Sequence, residues 1–210
     1  QGQDLSKDKV ILGSGSLDFG LTVRSNTDIE VPATTNITLT DADDDLSLQV
    51  ATVSTGFLNN LSTDAEAALF TGVVGDIDYE FDFLADVDAD LDIRGTLNAR
   101  NVQLGASATI DIDNAGLGLG GLQLAFIYAN SSANVDIGSG AQINATGDLG
   151  VHAMSNLRAI ASLSALSGQD AGEADAALSA VILSSDAVAQ VRADADISAA
   201  GAFDLIADNV

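Results

Sequence analysis

Residues 135–153 read VDIGSGAQINATGDLGVHA, and this stretch decides the fold. With Ala133 before it, Val135, Ile137, Ala141, Ile143, Ala145, Leu149, Val151 and Ala153 are apolar. Asn134, Asp136, Gln142, Asn144, Asp148 and His152 lie between them. Alternation with a period of two is the signature of a strand with one buried and one solvated face. Gly138-Ser139-Gly140 and Thr146-Gly147 interrupt the pattern where a chain would turn a corner.

The pattern returns 54 residues later. Ala187, Ala189, Val191, Ala195, Ile197, Ala199, Phe203, Leu205 and Ala207 take the buried positions, and Gly201 falls where Gly147 did. A third copy lies 46 residues upstream through Ala89, Leu91, Leu97 and Ala99. After one deleted residue it continues through Val102, Leu104 and Ala106. Repeats of this kind leave an apolar face that only a neighbouring repeat can cover, so the sequence predicts strand units stacked into a long, thin β-solenoid.

The first eighty residues follow a looser pattern. Leu17, Phe19, Leu21 and Val23, then Ile29 and Val31, then Ile37 and Leu39, then Leu46, Leu48 and Val50 form short alternating runs between turn clusters. The expected organisation is a β-rich segment over residues 1–80 and solenoid repeats over 81–210. Pattern alone leaves open whether the first part continues the solenoid or is sandwich-like or irregular. Two stretches carry helix signals: Thr63 to Phe70, with capping-box spacing between Thr63 and Glu66, and the alanine-rich Gln169 to Leu178.

The phrase Gly147, Asp148, Leu149, Val151, Ala153 resembles the repeats of large bacterial β-helical exoproteins, the filamentous-haemagglutinin-like adhesins and related giant surface proteins. The copy at Gly201, Phe203, Leu205 and Ala207 keeps the spacing, with Ala202 in place of the aspartate. The likeness covers roughly residues 85–210. It implies a right-handed parallel β-helix and an adhesive or scaffolding role outside the cell.

Composition agrees with a thin, evenly layered core. Hydrophobic residues make up 47% of the 210, but aromatics only 4%, so small aliphatic side chains must fill the interior. Thirty-one acidic residues against seven basic ones give a net charge of −24, which repels nucleic acid and anionic membranes and favours cations as partners. There is no cysteine, hence no disulfide and no thiolate chemistry. No apolar run approaches the length of a membrane-spanning helix. Gln1 opens no signal-peptide pattern, which suggests a mature product or an excised fragment.

Candidate sites are few. Asp86, Asp88, Asp90 and Asp92 fall on alternate positions of one expected strand, about 6.5–7 Å apart on its outer face. Calcium would relieve their repulsion, and Asp41, Asp43, Asp44 and Asp45 form a second acidic group of the same kind. The plainer reading of both is a solvated acidic face, since neither has EF-hand spacing. Gly116, Gly118 and Gly121 match G-x-G-x-x-G, but Leu122 to Tyr128 read as strand, so a phosphate-binding helix is not expected. His152 is the only histidine and sits on the wet face with nothing to orient it as a base.

Sequons begin at Asn36, Asn60, Asn130 and Asn144; asparagine is also a common turn residue. The function expected is a non-enzymatic, self-associating structural or adhesive protein of a microbial surface or matrix, with cations or surface glycans as further partners. Two alternatives come from other classes. One is a polysaccharide-active enzyme on the same scaffold, for which Arg94, Arg100, Arg158 and Arg192 are widely scattered. The other is a calcium-dependent binding module.

Overall fold

The computed structural model describes residues 15–41, 43–55, 77–115, 122–162 and 176–210. Wherever the alternation is regular the chain is extended, and the described residues form twelve strands. These are β1 (Gly15–Val31), β2 (Asn36–Thr38), β3 (Leu46–Thr55), β4 (Ile77–Ile93), β5 (Thr96–Ala99) and β6 (Val102–Ala115), then β7 (Leu122–Ile137), β8 (Gln142–Ala145), β9 (Leu149–Ser162), β10 (Ala176–Val191), β11 (Asp196–Ala199) and β12 (Phe203–Asn209). Every third strand is the neighbour of its equivalent. Three four-stranded sheets follow, ordered β1-β4-β7-β10, β2-β5-β8-β11 and β3-β6-β9-β12. All nine pairings are parallel. The chain is therefore all-β, with four three-strand units of one design.

The inner faces of the three sheets form one core. Leu91, Ile93, Leu97, Val135, Ile137, Ile143, Leu149 and Val151 are 0–1% exposed. Each such side chain contributes roughly 1.5–3 kcal/mol by leaving water. Alanines fill the narrower places, among them Ala85, Ala89, Ala129 and Ala133, all buried. Glycine at 140 (φ 84°) and Asp194 (φ 65°) hold equivalent corner positions in left-handed backbone, and Gly140 N–H donates to the Asp194 carbonyl at 3.2 Å.

The 54-residue repeat holds through all three sheets: Ile137 pairs with Val191, Ile143 with Ile197 and Leu149 with Phe203. The upstream copy differs in its first strand. Leu97 pairs with Ile143 at the expected offset, but Val135 lies opposite Leu91 rather than Ala89. The corner after β4 is two residues shorter than the corner after β7, and a shift of two preserves the buried face. The strands between residues 15 and 55 stack on β4, β5 and β6 by the same parallel pairing.

Thr63 to Phe70 lies outside the described residues. Of Gln169 to Leu178, the described part, Ala176 to Leu178, begins β10 and is strand. The described strands do not make the long, thin outline expected. Four strands at about 4.8 Å stand roughly 19 Å tall, while β1, at 17 residues, runs about 55 Å.

One corner explains why glycine and an Asx residue recur together. Asp45, Asn101, Asp148 and Ala202 occupy equivalent places just before the third strand of each unit. Both the backbone N–H and the side-chain amide of Asn101 donate to Asp45. The Asp148 N–H donates to Asn101 Oδ1 at 2.8 Å, and the Ala202 N–H to Asp148 Oδ1 at 2.8 Å. Each side chain thus clamps the unit that follows. A Cβ on Gly147 would sit 2.3 Å from Asn101 Oδ1, and one on Gly201 would sit 2.1 Å from Asp148 Oδ1. On the outer face of the third sheet, Gln49 lies over Gly105 and Gln103 over Gly150 in the same relation.

Candidate functional site

The outer face of the first sheet turns the sequence's acidic residues into columns that cross the strands. Glu30, Asp92 and Asp136 are direct neighbours, as are Asp28 and Asp90. Parallel neighbours lie about 4.8 Å apart, so like charges oppose each other here. Arginines at the corner offset this at the end of the face. Arg94 pairs with Asp92, and its pKa is raised first by that hydrogen bond and also by Glu30 and Asp136. Arg192 Nε lies 2.9 and 2.7 Å from the two oxygens of Asp136, whose side chain is 9% exposed. Arg94, Asp136, Gly138, Ser139 and Arg192 line a recess of about 290 Å³.

The four aspartates of β4 stand on one outer face, as the alternation implies, but have different surroundings. Asp86 accepts from Asn130 Nδ2 at 2.9 Å and lies 3.9 Å from Arg24 Nε. Asp88 has no arginine beside it; partial burial raises its pKa, and Asp86 and Asp90 raise it further. Asp90 is raised as well, by burial and then by Asp28 opposite, against a hydrogen bond from Asn134. Asp92 belongs to the arginine corner.

The second acidic group surrounds a guanidinium. Arg100 Nε and Nη2 donate to the two oxygens of Asp45 at 2.9 and 3.0 Å, and Nη1 lies 3.5 Å from Asp43. The hydrogen bond from Arg100 holds the Asp45 carboxyl below the usual carboxylate range. The Asp44 N–H donates to the Asp41 carbonyl at 3.1 Å, which closes the turn, and the Asp44 carbonyl accepts the Arg100 N–H at 3.0 Å. Among the described residues, no three His, Cys, Asp or Glu side chains converge as a metal ion requires.

Other predicted positions are dispersed. His152 is exposed, its Nε2 3.4 Å from Asp208 of the next unit. Arg158 pairs with Asp111 at 2.6 Å. Asn36 and Asn144 stand on the exposed faces of β2 and β8, Asn130 is half-buried on β7, and Asn60 lies outside the described residues. Gly116 to Gly121 also lie outside them, and the residues that follow form β7. Among the described residues no helix is long and apolar enough to cross a membrane.

Three features escaped the sequence reading. The first is a column of interior hydroxyls. Ser131 Oγ donates to the Ala108 carbonyl at 3.3 Å, Ser155 Oγ lies 2.8 Å from Ser131 Oγ, and Ser185 Oγ lies 2.8 Å from Ser155 Oγ. Ser131 and Ser155 are wholly buried. The second is an apolar groove of about 240 Å³ on the outer face of the first sheet, where Leu84, Phe126, Tyr128 and Ile182 gather beside Gly20 and Thr22. The third is the exposure of core-facing side chains in the last unit. Leu183, Val191, Phe203 and Leu205, all on the core-facing side, are 37–47% exposed there. Comparison with known proteins returns no match to a family model, a curated protein or a solved structure.

Proposed function

We propose that the chain is a segment of a right-handed parallel β-helix that serves as a structural or adhesive element outside a microbial cell, in a surface fibre or biofilm matrix, and associates with copies of itself. The observation that carries this reading is the parallel stacking of four equivalent three-strand units in register around one core. Stacked repeats gain stability from each neighbour added, and an open parallel edge is a template for another strand. Right-handed crossing is the general rule for parallel strands joined through other elements. The acidic columns keep the lateral faces apart and direct association to the ends. They also give cations a place to gather.

No catalytic role is assigned in this reading; Asp45, Asp86, Asp92 and Asp136 are engaged by arginines. Electron microscopy of the purified chain over a range of concentrations tests it. Particles that lengthen along one axis as concentration rises are expected. Compact particles of one size at every concentration would overturn the self-associating role.

A further inference from the structure

We infer that the apolar groove on the outer face of the first sheet binds a small organic ammonium ion with an apolar body. The centre of the groove lies on β4 and β7, each of which has a paired strand on both sides. Its side chains are therefore exposed by facing outward and not by standing at a sheet edge. The site is independent of any association between copies of the chain.

The first half of β7 turns its largest residues to water. Ala125, Ile127 and Ala129 face the core at 0–1% exposure, whereas Phe126 and Tyr128 face out and are 37% and 43% exposed. A one-residue slip in register would bury both rings, yet the stack holds them outside. Further along the same face every outward position of β4 and β7 is polar, from Asp86 and Asn130 onward. An exposed apolar cluster rimmed by polar residues is the mark of a contact surface.

Register sets the chemistry of the groove. Asp82 stands beside Phe126 and Leu84 beside Tyr128, about 4.8 Å from strand to strand. Gly20 and Ala180 flank Asp82 and Phe126, and a Cβ on Gly20 would meet nothing within 4 Å. An exposed carboxylate and an exposed ring are thus left side by side in open space. Asp82 is the one charged residue among the described lining residues, and unlike Asp86, Asp92 and Asp136 it has no described arginine against it. A cation within about 6 Å of the Phe126 ring centre is attracted by the ring and by this carboxylate together. Leu84, Tyr128 and Ile182 then receive the apolar body, in a space of about 240 Å³. The net charge of −24 draws cations toward this face and turns anions away. A neutral sugar would use the rings but gain nothing from that field.

Benzylammonium and benzyl alcohol, alike in size and different in charge, test the site by amide NMR titration at physiological ionic strength. Benzylammonium should shift the signals of residues 82–84 and 126–128 saturably and bind about threefold to thirtyfold tighter than the alcohol. Asp82→Asn should bring the two ligands to equal affinity. Phe126→Leu keeps apolar bulk without the ring and should weaken benzylammonium by a factor of about two to five, with an unchanged melting curve showing the fold intact. Equal affinity of the wild type for both ligands would make the groove merely apolar and overturn the inference. Shifts confined to Asp88 and Asp90 would overturn it as well, since they report cations gathered by charge alone. Saturable shifts of the groove with cellobiose and none with benzylammonium would make it a sugar site instead. If dilution of the chain moves the groove signals while benzylammonium leaves them in place, the face is a contact between copies and the inference falls.

Discussion

The side chain of Asn101 accepts the backbone N–H of Asp148 at 2.8 Å while filling the space that a Cβ at Gly147 would need. One amide therefore sets two residues of the following unit. Gly147→Ala should cost about 1–3 kcal/mol through overpacking. Combining it with Asn101→Ala should make the double variant less destabilised than the sum of the singles. A double-mutant cycle from denaturant melts measures that coupling.

Ile143 lies between Leu97 and Ile197 in the second sheet and is 1% exposed. Ile143→Asp should remove more than about 4 kcal/mol, from lost burial and an unpaired carboxylate. Loss of the cooperative thermal transition, followed by circular dichroism, is the expected result. Val151→Asp, also 1% exposed, should behave alike.

Ser155 stands between Ser131 and Ser185 in the interior. Ser155→Ala leaves a buried hydroxyl short of a partner and should cost about 1–3 kcal/mol. Changing Ser131 and Ser155 together to alanine should cost less than the two single changes added, because the hydrogen bond between their hydroxyls is lost only once.

Stability should rise as pH falls from 7 toward 4. Asp88 and Asp90 have folded pKa values above the ordinary 3.8, so the folded chain binds more protons than the unfolded one in the window just above that value. Stability from this source is lost as pH rises through the window. Asp45 has the opposite shift, and its contribution is lost as pH falls below 3.8. Asp90→Asn removes the opposition to Asp28 and should add about 0.2–1 kcal/mol at pH 7. With Asp88→Asn it should flatten the slope of Tm against pH.

Arg100→Gln leaves Asp43, Asp44 and Asp45 without their cation. Tm should fall, and the fall should shrink as salt is raised. In the wild type, where Arg100 already lies among these carboxylates, a chelator should leave the midpoint unchanged.

How far the sequence reveals this fold depends on the length of its corners. From Ala133 to Ala153 and Ala187 to Ala207 the corners have equal lengths, so alternation and offset together give face, register and stacking. After Ile93 the corner loses two residues, and a reading by distance places Ala89 where Leu91 belongs. The first unit keeps the four-residue first corner but has a longer second one, from Leu39 to Asp45, which hides its kinship. Contacts between units are harder to read. Arg100 and Asp45 are 55 residues apart and meet only once the register is known. Ser131 and Ser155 look like wet-face residues by chemistry, yet both are buried.

The glycines that receive side chains from the preceding unit also limit how such a chain can be rearranged. Its units are not interchangeable tiles. Excising β7 through β9 would still lay Asn101 over a glycine, Gly201, but would bring Gln103 down on Asp204 where Gly150 had received it. Duplication or recombination is thus free only between units whose outgoing amide and incoming glycine agree. The order of the units is written in side-chain volume.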